Sequence, residues 1–235
     1  QLDASVGGKV AVNAKEAKNL IGAFHHPRHV AGDPELIRTL SHRDFKSGMA
    51  EAIKIGVIAS AEYFAYLEQA GPLLRRRDPE ALTRAIEGAA RLKMDLVALD
   101  PYESDLRRPL NFGHTIGHPI ETEFGSRRIR HGEAVAIGMG VATMIALRRG
   151  DIAAADARRI FDLLGAYDLL GFSEPIRPDG VVAHMRYVRM IRGNKLHFVL
   201  PRGVGDVFIT DELVDEDLVR GFEDYDVAMR DRGAS

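Results

Sequence analysis

Cysteine is missing from all 235 residues, which excludes a disulfide framework and any thiolate metal site. A metal held by this chain must take its ligands from histidine, aspartate and glutamate, and nine histidines are available. An excess of charge of one sign is lacking too. The 32 basic and 34 acidic side chains leave a formal net charge of −2, which gives no electrostatic basis for nucleic acid or an anionic membrane as the main partner. Long apolar runs are absent. The longest, Ala134 to Leu147, has 14 residues interrupted by Gly138, Gly140 and Thr143, too few to span a bilayer and suited to a buried helix. The first residues, Gln1-Leu2-Asp3-Ala4, show no signal-peptide pattern. With 46% hydrophobic and 28% charged residues, the expectation is a soluble, cytoplasmic, globular protein.

Along the chain, residues 1–33 are Gly-rich and irregular, with room for a short strand near His29–Ala31. Asp33-Pro34-Glu35 has the form of a helix start, an Asp cap followed by Pro in the first turn. Apolar residues then recur at helical spacing from Phe45 to Ile58 and again through Ala61–Glu68. Asp78-Pro79-Glu80 opens another helix running to about Leu99, where Asp100-Pro101 breaks it. Pro109 to about Phe124 reads as one helix, with Pro119 expected to kink it. The apolar helix 134–148 follows a basic loop, and Asp156–Leu164 is amphipathic. Residues 171–180, with two prolines and two glycines, read as a linker. Leu196–Leu200 and Val207–Thr210 read as two strands of a hairpin around Pro201–Gly205, and a helix closes the chain after Asp211. No internal repeat or low-complexity segment is present.

The strongest local signal is Asn111-Phe112-Gly113-His114-Thr115-Ile116-Gly117-His118. On one helix, positions 111, 114, 115 and 118 share a face, setting an amide and two imidazoles in a row, while Gly113 and Gly117 admit a close backbone. The face is either a ligand-bearing one or a solvated polar one with two chance histidines. The Glu of the zincin helix is missing, so that protease class is not supported. His131 stands just ahead of the apolar helix. Glu51 and Lys54 lie three apart in Gly48-Met49-Ala50-Glu51-Ala52-Ile53-Lys54-Ile55-Gly56, and a charged pair in such surroundings either points to solvent or is buried with a partner. One carboxylate and two imidazoles are a common set for a catalytic divalent metal, with the remaining position open to water or substrate. A cationic group, Lys9, Lys18, Lys93 and Arg107, could address an anion, since Gly7-Gly8-Lys9 suits close approach to phosphate. The plainer reading of Lys93 and Arg107 is a solvated helix face. His42-Arg43-Asp44 has the letters of a kinase catalytic loop without its downstream Asn and is taken as chance. His25-His26, in a loop before Pro27, is a weak candidate for a metal pair.

Together these segments resemble the sugar phosphate cyclases, and 3-dehydroquinate synthase most. The resemblance rests on Ser5-Val6-Gly7-Gly8-Lys9, Lys18-Asn19-Leu20-Ile21-Gly22-Ala23-Phe24, Ser47 through Lys54, Leu110 through His118 and His131-Gly132-Glu133-Ala134-Val135-Ala136, in order over roughly residues 1–150. It implies an α/β dehydroquinate synthase-like fold. Residues 1–40 would be the C-terminal remnant of a Rossmann-like NAD-binding domain, and 41–235 a mostly helical metal- and substrate-binding domain. By the same resemblance Glu51, His114 and His131 fall on zinc or cobalt ligands. Asp3, Lys9, Lys18, Asn19 and Thr39 fall near the NAD. Lys54, Lys93, Arg107, Asn111, His118 and Glu103 fall on the substrate-binding and catalytic set.

The implied activity is that of a lyase of the shikimate pathway, in aromatic amino acid biosynthesis, acting as a homodimer on a small sugar phosphate. NAD transiently oxidises a hydroxyl, phosphate is eliminated, the hydride returns, and an aldol addition closes a carbocycle, with the metal as Lewis acid. The Gly-rich pyrophosphate segment of the family does not occur here, so it is expected upstream. Lys9-Val10-Ala11-Val12-Asn13 stands for the family's Lys-Thr-Gly-Ile-Asn, Val188-Arg189-Met190 for an Asp-Lys-Lys, and Pro119 for a usual Ala. Arg107, Asn111 and His118 favour a carboxylate-bearing substrate, and the altered segments a secondary-metabolism relative of the valiolone or deoxy-inosose type. A metal-dependent polyol dehydrogenase and a non-catalytic metal-binding fragment are the other readings.

Overall fold

A computed structural model describes residues 1–12, 21–102, 107–125, 127–172, 174–191 and 196–233, with only the backbone of 188, 189 and 191. The fold follows from where apolar faces meet. The helix His131–Arg149 (α5) is buried along nearly its whole length, from Gly132 to Ala146. It therefore needs neighbours on every side, and finds them in α1 (His42–Ala59), α4 (His114–Phe124), α6 (Ala154–Ala166), α8 (Asp215–Gly233) and the strand β3 (Phe198–Gly203). α1 carries the second buried face, from Phe45 and Met49 to Ile58. α2 (Ala61–Arg75) and α3 (Pro79–Leu99) pack on it.

The helix starts follow their capping residues. Ser41, Ser60 and Asp78 each accept a backbone N–H of the first turn of α1, α2 and α3. Pro79 occupies the first position of α3, where its missing N–H costs nothing, and Asp100 ends the helix as expected. β3 pairs antiparallel with β4 (Asp206–Thr210), with an irregularity between Pro201 and Gly203. The turn between them is tied to α1 by Gly205 N–H donating to Val57 O at 2.9 Å.

Four expectations need correction. Residues 1–33 are not all loop, and no strand forms at 29–31. Instead β1 (Lys9–Val12) pairs antiparallel with β2 (Ile21–Phe24), and all eight residues are exposed. Burial periodicity could not reveal strands that bury nothing. The Asp33 start is real, but it opens a short 3₁₀ helix, Pro34–Thr39. Residues 109–124 are not one helix: Arg108–Asn111 is a 3₁₀ turn, and α4 begins only after Gly113 at φ +76°. Pro119 lies inside α4 without ending it. Asn111 is thus not in helical register with His114 and His118. The stretch after 177 is a further helix, α7 (Pro178–Ile191), with proline in its first position.

The break at Gly113 has a packing cause. α4 crosses α5 so closely that a Cβ on Gly138 would lie 2.1 Å from Gly113 O. One on Gly113 would meet Val135 O at 2.6 Å. The small-residue faces are therefore used inside the chain, and Gly140 likewise abuts the Tyr225 ring of α8. Among the described residues no helix is long and apolar enough to cross a membrane.

Candidate metal and anion site

Three elements converge on one point. α1 presents Glu51 and Lys54, the first two turns of α4 present His114 and His118, and the first residue of α5 is His131. Glu51 Oε1 lies 3.3 Å from His131 Nε2 and 3.9 Å from His114 Nε2. The rings of His114 and His131 are 5.2 Å apart, and His118 lies beside both, edge-on to His114 at 5.3 Å and tilted against His131 at 5.7 Å. One donor atom from each of the three histidines falls within 4.8 Å of the other two.

The two inner histidines are held by their far nitrogens. His114 Nδ1 is 3.1 Å from Phe112 O, the residue just before the Gly113 turn, and His131 Nδ1 is 3.1 Å from Glu121 Oε2. Acceptors at Nδ1 favour a proton there and turn both Nε2 atoms toward Glu51. Neither buried Glu51 oxygen accepts a hydrogen bond of good geometry. Yet Oε2 is 2.7 Å from Lys54 Nζ, an ionic contact. A buried carboxylate whose oxygens are short of hydrogen bonds, faced by two imidazole Nε2 atoms, fits a divalent cation of the zinc or cobalt type.

The electrostatics agree with the geometry. Burial works against the Glu51 carboxylate, but Lys54, His114 and His131 hold it well below the usual range, so it is anionic. Burial, reinforced by Lys54, pushes His114 well below an ordinary histidine, so it is the neutral ligand form. Burial also disfavours the charged form of His131, yet the Glu121 and Glu51 carboxylates beside it outweigh that and raise the group to about 9. A metal would have to displace that proton.

Beside this centre sits a cation cluster. Lys54 is 2% exposed, with its Nζ 2.6 Å from Asp3 Oδ2; burial lowers its pKa, but Glu51 and Asp3 raise it more. Lys93 donates to Asp3 O at 2.6 Å and to Asp3 Oδ1, and burial, despite Asp3, leaves its pKa lowered. Arg107 is 1% exposed, so the solvated-face reading of these two residues fails. Its guanidinium donates to Pro101 O at 3.0 Å and Gly7 O at 3.2 Å. The segment Asp3–Gly8 thus contacts all three cations. Asp3, expected near a dinucleotide, is a counter-ion here.

Lys9 is on exposed β1, and the Thr39 hydroxyl donates to Leu36 O. Asn111 ends its 3₁₀ turn, half-buried. Lys18, Asn19 and Glu103 lie outside the described residues. The His25-His26 pair does not join a cluster of metal donors among the described residues. An apolar cleft of about 300 Å³ between the chain start, α1 and α3 lies apart from the histidines, lined by Leu2, Ile37, Phe45 and Ile86.

Sequence reasoning missed Glu121, 3% exposed on α4, because an acid on a helix with polar residues reads as surface. Its position three residues after His118 was the available signal. It also missed Glu133, at the start of α5, whose carboxylate caps Arg130 N–H at 2.8 Å and binds Arg43.

Two family models match the chain: 3-dehydroquinate synthase N-terminal over residues 1–47 and 3-dehydroquinate synthase C-terminal over 48–189. The chain belongs to the 3-dehydroquinate synthase family. A 2-epi-valiolone synthase of Actinosynnema mirum is 44% identical over 223 residues, covering 93% of this chain and 58% of the relative. A 3-dehydroquinate synthase of Pseudoalteromonas atlantica is 40% identical over 230 residues, covering 95% and 63%. Among solved structures, the 2-epi-5-epi-valiolone synthase of Streptomyces hygroscopicus subsp. jinggangensis, with NAD+ and Zn2+ bound, matches at a TM-score of 0.88 and 28% identity, over 97% of this chain and 63% of that one. A 2-deoxy-scyllo-inosose synthase complexed with carbaglucose-6-phosphate, NAD+ and Co2+ matches at 0.80 and 26%, over 94% and 62%. The fold is the family's dehydroquinate synthase-like one, and the chain spans about 60% of the length of these relatives.

Proposed function

We propose that this chain carries the metal and substrate chemistry of an NAD- and metal-dependent sugar phosphate cyclase that eliminates phosphate and forms a carbocycle, a carbon–oxygen lyase reaction. The observation that supports it most is the convergence of the His114 and His131 Nε2 atoms on the buried, hydrogen-bond-poor Glu51, beside Lys54 and Lys93. Glu51, His114 and His131 are the proposed ligands, with His118 on the open side. Bound there, the metal would supply Lewis-acid polarisation of a substrate hydroxyl, and NAD, seen in both related structures, would take up and return a hydride.

The chain's own groups do the rest. Lys54 and Lys93 place two ammonium groups against one anion site, occupied here by Asp3, and Arg107 stands on the far side of the same segment. Such a cluster suits a phosphate or a carboxylate. His118, exposed and in ring contact with His114, can exchange a proton with substrate at the mouth of the site. Residues 1–40 are assigned to the NAD-binding unit and 41–235 to the metal- and substrate-binding unit. A match to the N-terminal family model over 1–47 supports the order of the two units. A homodimer and a cytoplasmic location complete the proposal.

The substrate has two readings. The retained Arg107, Asn111 and His118 favour a carboxylate-bearing sugar phosphate and the shikimate pathway. The 44% identity to a 2-epi-valiolone synthase favours a secondary-metabolism cyclase. Turnover of sugar phosphates with and without a carboxylate separates them.

The test of the centre is metal content by plasma mass spectrometry on the wild-type chain and a His114→Ala, His131→Ala double variant. Near-stoichiometric zinc or cobalt, lost in the variant, is the expected result. A wild-type chain that takes up neither metal, even when it is supplied, overturns the proposal in favour of a protein without this chemistry.

A further inference from the structure

The two inner histidines are oriented by different means. His114 is held by a backbone oxygen, Phe112 O, which no side-chain substitution can remove. His131 is the first residue of α5, at a helix end, with 44% of its side chain exposed. What reaches its Nδ1 is the Oε2 of Glu121, 3.1 Å away, from the neighbouring helix α4. Glu121 is 3% exposed. Burying a carboxylate is costly unless it is used. Here it lies on the element that carries His114 and His118, three residues past His118. The distance across to His131 is set by the Gly113–Gly138 crossing of α4 over α5.

We propose that Glu121 is a positioning residue for the metal centre: by accepting a hydrogen bond from His131 Nδ1 it turns the Nε2 atom toward Glu51 and His114. The inference rests on the metal-centre reading above and extends it beyond the ligands. Glu121 is not one of the proposed ligands. It acts through His131. Carboxylate partners of this kind are worth about 10–100-fold in metal affinity.

The experiment is a chelator-competition measurement of zinc affinity on the metal-stripped chain, with far-UV circular dichroism and a thermal melt in EDTA as a folding check. Glu121→Met removes the acceptor while keeping the volume, and is expected to weaken zinc about 10–100-fold with one site still filled. Glu121→Gln keeps an oxygen that can accept from Nδ1, and is expected to lose less. The decisive arm is the double-mutant cycle with His131→Ala, in which adding Glu121→Met should change nothing further. A merely structural contribution would weaken zinc equally in both backgrounds, and that result overturns the proposal. So does a folded Glu121→Met chain that binds zinc like wild type while His131→Ala does not; the metal centre then stands without Glu121. A wild-type chain that binds no zinc overturns the centre itself, and this proposal with it. If Glu121→Met does not fold, the Glu121→Gln arm of the same cycle decides.

Discussion

Arg43 shows what one side chain contributes here. It belongs to the His-Arg-Asp string taken above as chance, and its guanidinium donates to both oxygens of Glu133, at 2.8 and 2.7 Å, and to Arg128 O. Glu133 is nearly buried, and Lys46 adds a cation at 3.5 Å. Burial alone would raise the Glu133 pKa, but the Arg43 hydrogen bond and the Arg130 N–H lower it overall. The pair therefore ties α1 to the start of α5, two residues from His131. Removing Arg43 leaves the acid without its fork. Because Arg43 itself is 40% exposed, water compensates in part, and Arg43→Ala is expected to lower stability by about 1–2 kcal/mol. The Arg38–Glu35 pair, both sides more than half exposed, is the contrast: Arg38→Ala should stay within about 0.5 kcal/mol. Urea unfolding of the two variants side by side checks both values, and equal losses would show that burial is not what distinguishes the pairs.

Between elements, backbone proximity decides more than side-chain volume. The α4–α5 crossing leaves no room for a methyl group at Gly138, and the atom in the way is a backbone oxygen, which cannot swing aside. Gly138→Ala is expected to cost about 3 kcal/mol or more, with loss of soluble protein as the extreme. Gly48, in the middle of α1, has only Leu2 Cδ1 near, at 3.9 Å. There Ala adds helix propensity and ordinary contact, so Gly48→Ala should stabilise by up to about 1 kcal/mol. Thermal melts of the pair test the sign: two glycines in two central helices, with opposite outcomes. Helices with one clear apolar stripe, α1, α3 and α6, were legible from spacing alone, and α1 and α3 carry a capping residue besides. The interruption at Gly113 was not, because the sequence shows a glycine but not the neighbouring helix that requires it. α7 was hidden by Pro178, whose first-turn position looks like a linker until the residues after it are counted. In the site, Glu51, Lys54, His114 and His131 stood out as charged or imidazole groups beside apolar ones. Glu121 and Asp3 did not, since their partners come from elements distant in sequence.

Across the whole chain, order is unevenly distributed. α5 is enclosed by α1, α4, α6, α8 and β3, whereas the β1–β2 hairpin exposes both faces, Val10, Val12, Ile21 and Phe24 among them at 41–66%. A two-stranded ribbon with no covered face is marginal in water. This one is secured at its base, where His25 N–H donates to Gly8 O at 2.7 Å, His26 Nε2 lies 3.2 Å from Pro101 O, and Phe24 meets the edge of Tyr102. Hydrogen exchange should therefore separate the two regions. Amides of α5 should exchange only through global unfolding, while the β1–β2 amides should exchange through local opening, orders of magnitude faster. That ribbon adjoins Asp3 and Gly7, which hold the three cations of the proposed anion site, so its opening would reach the lysines before it reached the histidines. Slow exchange in the ribbon at high protein concentration that becomes fast on dilution would mean that a second copy of the chain covers it. Slow exchange at every concentration would refute the picture of a marginal hairpin and place the ribbon in the cooperative core.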